Sequence, residues 1–298
     1  MKVIPFLAAL PLISTSLFGQ AAVDQKEYVL ANKEVTLPVK EKFKAIENTS
    51  MKDAKMSVAV AGQKFDGTMS QSGKEEVVFD FVSKNQIRVS YEKNRSLEKT
   101  LMMGQESDEE EVKASEGKTF VLDRKGGKWK AKLEKGEIKE EDMEEIVDTA
   151  KKLERKFNTN EDLQIYGDKP RKVGESWDVD PKLIPGIDEF EVRGGKMTMT
   201  FLEVKDFQGE QCAVLKTSFT VNAEMSDKNM DGMVVDFEGS GRIVRSLMFF
   251  TDYKFTGGMK MKMKGAFDAQ PGVPASMTMS GDMKISQRMA RVGAGEKE

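Results

Sequence analysis

Residues 259–264 read Met-Lys-Met-Lys-Met-Lys, and this strict alternation decides the fold class. Successive side chains of a β-strand point to opposite faces of the sheet, so the three methionines share one face and the three lysines the other. The runs Met197-Thr198-Met199-Thr200 and Met277-Thr278-Met279 repeat the pattern. The sequence therefore predicts strands with one methionine-bearing face and one face that contacts water.

Shorter alternating runs continue this pattern along most of the chain. They predict strands at 56–60, 77–82, 87–91, 119–122 and 129–133 and, after the middle of the chain, at about 192–206, 211–225, 233–238, 241–256, 259–268 and 275–289. A short strand is also predicted at 35–39. Turn-forming residues such as Ser72-Gly73 separate the runs, and the acidic residues 108–111 predict a self-repelling loop tip. Such spacing is typical of an antiparallel meander.

One segment departs from the period of two. From Lys139 to Phe157 the apolar residues recur three or four positions apart and form one stripe, which comprises Met143, Ile146, Val147, Ala150, Leu153 and Phe157. Acidic residues begin the segment and basic residues end it, as the helix dipole favours. The acidic first half of its polar face favours packing on the protein's own sheet over a membrane surface. The predicted fold is α+β and mainly β, a curved antiparallel sheet or half-barrel meander with one amphipathic covering helix at about 139–157.

The first residues predict export. Met1-Lys2 gives a positive start, an apolar run follows to Phe18, and Gly19-Gln20-Ala21 fits a signal-peptidase site. We expect a signal peptide at 1–21 and an exported mainly-β domain at 22–298, undivided or subdivided into 22–135 and 170–290, with a disordered tail at 293–298. The predicted location is periplasmic or secreted. No cysteine stands at the cleavage point, so a lipoprotein is not expected, and no later segment approaches the about 20 apolar residues of a spanning helix.

Composition argues against an enzyme and against a nucleic-acid partner. The chain has no histidine, which removes Ser-His and Cys-His catalysis and most zinc, copper(II) and non-haem iron sites. The single cysteine, Cys212, lies in an apolar, strand-like setting that predicts a buried structural thiol. The formal net charge is −3 and the two signs are interspersed, so the chain offers no basic stripe to nucleic acid.

Residues 227–238 fit the spacing of a twelve-residue calcium loop. The oxygen ligands would come from Asp227, Asn229, Asp231, the carbonyl of Met233 and Glu238. The flanking residues predict strands and not the two helices of an EF-hand, so an ordinary β-hairpin turn is the other interpretation. Calcium is the cofactor that this stretch suggests, and both interpretations remain open.

Twenty methionines are more than core filling ordinarily needs. Three interpretations remain open: a soft, irregular core, an adaptable apolar cavity for a lipid-like ligand, and a thioether site for Cu(I). The residues predicted to line the cavity are Met197, Met199, Met259, Met261, Met263, Met277 and Met279.

The chain leads from Val173-Gly174-Glu175-Ser176-Trp177 into long strands with Gly-Arg turns such as Gly241-Arg242. Together with the order of strands, one helix and more strands, this resembles the bacterial lipoprotein-carrier half-barrels and the exported β-rich proteins around them. The resemblance implies an apolar cavity between sheet and helix and transfers no catalytic residue. Two hypotheses follow: an exported non-enzymatic envelope protein that binds a hydrophobic or lipid-like ligand, or a calcium-stabilised structural or interaction protein of the envelope. The expected partner is a hydrophobic small molecule or an envelope component.

Overall fold

The computed structural model describes residues 26–31, 37–158, 161–184, 187, 190–225, 232–270 and 273–293. The strands before the helices are β1 (Glu27–Tyr28), β2 (Lys42–Val60), β3 (Gln63–Ser83), β4 (Gln86–Met102), β5 (Gln105–Val112), β6 (Thr119–Lys125) and β7 (Lys128–Lys135). The helices are α1 (Met143–Asn158) and α2 (Glu161–Tyr166), and 3-10 turns lie at Glu140–Asp142 and Pro181–Leu183. The later strands are β8 (Arg171–Lys172), β9 (Ser176–Val179), β10 (Phe190–Phe207), β11 (Glu210–Met225), β12 (Val234–Ser246), β13 (Asp252–Gln270) and β14 (Val273–Arg291).

Among the described residues, twelve strands form one antiparallel sheet in the order β7-β6-β4-β3-β2-β14-β13-β12-β11-β10-β9, with β5 paired to the far half of β4. Within the described ranges the end strands β7 and β9 do not pair with each other, so the sheet is open. β2 pairs with β14, and strands from before and after the helices therefore belong to the same sheet. The predicted antiparallel, mainly-β architecture with a covering helix is confirmed.

Glycines within the sheet correct several predicted strand ends. β3 runs through Ser72-Gly73, where the sequence predicts a turn, and β12 runs through residues 239–242, where it predicts a break and a Gly-Arg turn. The turn between β12 and β13 lies at 247–251 instead. A Cβ on Gly241 would lie 2.5 Å from the Phe255 ring, and the Phe219 ring covers Gly239 in the same way. Because the rings fill the room that glycine leaves, these glycines stay in extended strands.

Two other predictions from the sequence are wrong. Residues 108–111 lie in β5, a fully exposed edge strand, because Lys99 and Arg95 of β4 neutralise Asp108 and Glu110 from the neighbouring strand. In the predicted strand at 35–39, residues 37–39 form a turn, with the Val39 N–H donating to the Leu37 carbonyl at 2.9 Å. Residues 35–36, the predicted signal peptide at 1–21 and residues 294–298 of the predicted tail lie outside the described residues.

The predicted helix is confirmed, with a correction to its buried side. The 3-10 turn and α1 together span residues 140–158. Ile146 and Leu153 are buried, and the Phe157 ring lies 6.0 Å from the Trp129 ring, whereas Met143 and Val147 are exposed. Because α1 rests mainly on β7 near the edge of the sheet, part of its apolar stripe is left without a strand to pack against.

The core lies on one side of the curved sheet, which we call the inner face. At one end of this face Phe157 of α1 packs against Phe79, in a core cluster that also contains Phe43 and Val77. Beside it, α2 and the segment that follows pack over Phe201 and Leu215. The helices thus cover one end of the inner face, and the alternating residues of β2, β13 and β14 continue this face beyond them.

Candidate functional site

The strand register places methionines from three adjacent strands next to one another on the inner face. Met51 of β2 lies opposite Met283 of β14, which lies opposite Met259 of β13. A second row consists of Met56, Met279 and Met263 on the same strands. Neighbouring strands are about 4.8 Å apart, so the thioethers of each row are in side-chain contact range.

Gly281 of β14 lies between the two rows, opposite Met261 of β13. A Cβ at this position would lie 2.6 Å from the Ala54 Cβ and 3.0 Å from the Met51 Sδ, so the sulfur of Met51 rests over the glycine backbone. We call the ring around Gly281 the methionine basket. Its members are Met51, Met56, Met259, Met261, Met263, Met279 and Met283.

A bulge in β2 is what brings Met51 and Met56 to the same face. The two residues are five positions apart, so strict alternation would place them on opposite faces. The register shifts between Met51 and Ala54, where Asp53 has φ +48°, and both Met51 and Ala54 are buried. The extra residue restores the inward direction of Met51.

The basket is partly open to solvent. Met51 is 2% exposed and Met279 is 9% exposed, whereas the other members are half-buried. On the opposite face of the same strands, Lys260, Lys262, Lys264, Thr278 and Ser280 are all exposed. Met259, Met261 and Met263 also pack against a cluster around Val235 and Phe237. The inner face therefore presents an apolar, thioether-rich surface, and the outer face presents charges and hydroxyls.

The predicted cavity residues divide into two groups. Met259, Met261, Met263, Met277 and Met279 lie together on β13 and β14, as their spacing predicts. Met197 and Met199 are buried four strands from β14, in the cluster with Tyr166 and Phe201, so they fill a packed core. Sequence reasoning missed Met51, Met56 and Met283. Met283 continues the period of two after Gly281, and Met56 begins the alternating run 56–60, but the bulge hides from any alternation pattern that Met51 shares their face.

Polar side chains border the methionine rows on the side of the helices. Glu47 of β2 lies opposite Glu75 of β3 and opposite Gln287 of β14. Burial raises the pKa of both carboxyls, and the Glu47 charge raises that of Glu75 further. The Nζ of Lys156 of α1 lies 4.8 Å from the centroid of the Phe79 ring, and desolvation of this ammonium group lowers its pKa, although the side chain as a whole is exposed. A charged strip thus separates the helix-covered end from the methionines.

A buried arginine fastens α2 to the sheet. Arg245 of β12 is 1% exposed, and its Nε donates to the Leu30 carbonyl at 2.7 Å. Its Nη1 donates to Asp252 at 2.7 Å and its Nη2 to Asp162 of α2 at 2.5 Å. The guanidinium lies 3.7 Å from the centroid of the Tyr166 ring, whose hydroxyl donates to Asp252. This network, which no sequence pattern indicates, holds the end of the covering segment in place.

The calcium-loop residues Asp227, Asn229 and Asp231 lie outside the described residues. Of the remaining ligands, Glu238 is exposed on the outer face of β12 between Thr220 and Lys260, and the Met233 carbonyl accepts from the Met225 N–H at 3.0 Å. The parts of the chain that the structure describes contain no group of three His, Cys, Asp or Glu side chains placed to hold a metal. The strands predicted on both sides of the loop are present, and calcium binding stays a prediction.

Cys212 is fully buried, and burial raises the pKa of its thiol to about 12. The predicted structural thiol is therefore confirmed, since a neutral buried sulfur is a poor nucleophile and a poor metal ligand. Among the described residues, no helix is long and apolar enough to cross a membrane.

Fold and site together define an open, curved antiparallel sheet with a thioether-rich inner face. No protein-family model matches the chain, and no similar sequence is found among curated proteins. Lipovitellin, in a structure described by its lipid–protein interactions, is 10% identical and similar over 89% of this chain and 27% of its own, with a TM-score of 0.40. This chain therefore spans about a quarter of lipovitellin.

Two further solved structures are similar at a lower level. A β-barrel-like protein of domain of unknown function DUF1849 from Brucella abortus is 11% identical over 86% of this chain and 99% of its own, with a TM-score of 0.19. The translocator domain of the autotransporter NalP from Neisseria meningitidis is 8% identical over 83% and 88%, with a TM-score of 0.21. All three likenesses concern β-rich architecture alone.

Proposed function

We propose that this chain is an exported, non-enzymatic binding protein of the cell envelope that holds the apolar part of a lipid-like ligand on its methionine face. The observation that carries the proposal is the half-exposed set of methionines on β2, β13 and β14. Contiguous apolar surface of this kind is uncommon on a soluble protein and marks a contact with another apolar molecule.

The chemistry of the face suits a flexible ligand. Methionine has three rotatable side-chain bonds and a polarisable sulfur, so a methionine surface adapts to chains of different length and shape. The Glu47, Glu75 and Lys156 strip borders the methionine rows on the side of the helices, where a polar headgroup would meet charged and hydrogen-bonding partners. The apolar tail would then extend away from the helices, over Met283, Met261 and Met279.

The test is binding of a fluorescent fatty acid to the delipidated chain that begins at residue 22. Met261→Glu places a carboxylate in the middle of the apolar rows, and we expect it to abolish probe binding because an ionised group would have to be buried by the tail. Ser280→Glu is the matched control, since it adds the same charge to the outer face of the neighbouring strand, opposite Lys262.

We expect Ser280→Glu to bind as the unmodified chain does. If the delipidated chain fails to bind the probe, or Met261→Glu binds it as well as Ser280→Glu, the proposal is wrong. Native mass spectrometry of the protein before delipidation supplies a second readout. We expect an additional bound mass that is removed when the protein is extracted with organic solvent.

A further inference from the structure

The methionine basket has a property that an apolar surface does not require. The side chains around Gly281 are those of seven methionines and of Ala54, and none is the leucine, isoleucine or valine that pack well in sheets. What a thioether adds to an aliphatic group of similar size is a soft sulfur lone pair.

The glycine at the centre gives those sulfurs room to converge. Gly281 contributes no side chain, and the Met51 Sδ already lies over its backbone. Met261 is directly opposite on β13, and Met283 and Met279 are two residues away on either side along β14. Strand spacing of about 4.8 Å and a rise of about 3.3 Å per residue keep these side chains within reach of one point above the glycine.

We propose that the methionine basket binds one soft monovalent metal ion, Cu(I) or its analogue Ag(I), through the thioether sulfurs of Met51, Met261 and Met283. Uncharged soft donors select Cu(I) over calcium, magnesium and zinc, because those ions need oxygen, imidazole or thiolate ligands. The chain has no histidine, and Cys212 is buried away from the basket, so neither of the usual competing ligands is offered. The ion binds as Cu(I) and is neither oxidised nor reduced.

This inference does not rest on the proposed lipid function, and the two are separable by one kind of substitution. Met→Leu keeps the apolar area and the approximate volume of the side chain but removes the sulfur. Metal binding should be lost in such a variant while the fatty-acid probe still binds. Thioethers do not titrate, so metal binding should also be unchanged between neutral and mildly acidic pH, unlike binding by thiolate or imidazole.

The experiment is an anaerobic competition for Cu(I) between bicinchoninate and the chain that begins at residue 22, with Ag(I) stoichiometry from native mass spectrometry. We expect one ion per chain and a sulfur-only coordination shell in X-ray absorption. The variant Met51→Leu/Met261→Leu/Met283→Leu should lose binding. The control variant Met103→Leu/Met143→Leu/Met248→Leu removes three exposed thioethers outside the basket and should retain it.

The proposal is overturned if the chain takes no Cu(I) from the chelator, if the control variant loses binding equally, or if nitrogen or oxygen occupies the shell. Should the triple basket variant fail to fold, Met261→Leu alone decides, because it replaces one half-buried sulfur on an otherwise intact face. Unchanged affinity in a folded Met261→Leu variant would also contradict the proposed ligand set.

Discussion

Replacing Arg245 by alanine should destabilise the protein more than any surface substitution, because one side chain joins three separate parts of the chain. Its guanidinium bonds the Leu30 carbonyl, Asp162 of α2 and Asp252 of β13. Truncation leaves a buried carbonyl without a partner, which costs about 1–3 kcal/mol, and leaves two carboxylates without their cation. Breaking a buried ion pair from one side typically costs about 3–5 kcal/mol.

For Arg245→Ala we expect the lower end of the range for a broken buried ion pair. Asp162 and Asp252 keep 49% and 34% of their side-chain exposure, so water replaces part of what the arginine supplies. We expect a loss of about 3 kcal/mol in the free energy of unfolding, measured by urea denaturation at pH 7. Arg242→Ala, on the exposed outer face of the same strand, is the control and should change stability by less than about 0.5 kcal/mol.

Replacing the two aspartates that lose their cation by uncharged residues should recover part of the lost stability. The variant Arg245→Met/Asp162→Asn/Asp252→Asn fills the same space with uncharged groups and should be more stable than Arg245→Ala. A loss below about 1 kcal/mol in Arg245→Ala, or no recovery in the triple variant, would refute the view that this network fastens α2 to the sheet.

Three further predictions concern the sheet. Hydrogen bonds from Lys44 and Lys74 lower the pKa of Glu76 to about 2, so the stabilisation by this carboxylate is present above its ordinary pKa near 4.5 and is lost as pH falls toward 2. Glu76→Gln should lower the free energy of unfolding by on the order of 1 kcal/mol at pH 7, measured in urea melts. A difference between the two proteins that persists at pH 2 contradicts this prediction. Burial raises the pKa of Glu47 above the ordinary value of 4.5, so its contribution to stability is most favourable below pH 4.5 and declines as pH rises through the raised pKa. Glu47→Gln should therefore raise the melting temperature at pH 7 and leave it unchanged at pH 4. A lower melting temperature of the variant at pH 7 would contradict this prediction. Gly281→Ala should lower the free energy of unfolding by about 1–3 kcal/mol in urea melts, because the new Cβ would lie 2.6 Å from the Cβ of Ala54. Ser280→Ala on the outer face should be nearly neutral. Equal effects of the two substitutions would refute the view that the inner face is crowded at Gly281.

The period of two in Met259–Lys264 was sufficient to predict an antiparallel sheet with a methionine face, because alternation and side-chain direction are linked by strand geometry alone. It could not predict strand ends. Whether Gly239 and Gly241 break a strand depends on Phe219 and Phe255, which lie on other strands and reach them only in the folded sheet. The same holds for the acidic strand β5, which is extended because β4 supplies opposite charges.

The candidate site was predictable in part. Met259, Met261, Met263, Met277 and Met279 share one face by local sequence pattern. The role of Met51 depends on a bulge, and that of Gly281 on strand pairing between residues far apart in the chain. Met197 and Met199 show the reverse case, since they alternate correctly but lie where α2 and its flanking segment cover the sheet. Alternation predicts a face, and only the tertiary structure decides whether that face is filled or open.

The most direct test of the central claim is photocrosslinking with a diazirine-bearing fatty acid, followed by peptide mass spectrometry. If the methionine face is the ligand surface, adducts are expected on Met259, Met261, Met263 and Met283, and excess unlabelled fatty acid should suppress them. Adducts confined to Lys260, Lys262 and Lys264 on the outer face of the same strand, or adducts that competitor does not suppress, would contradict it.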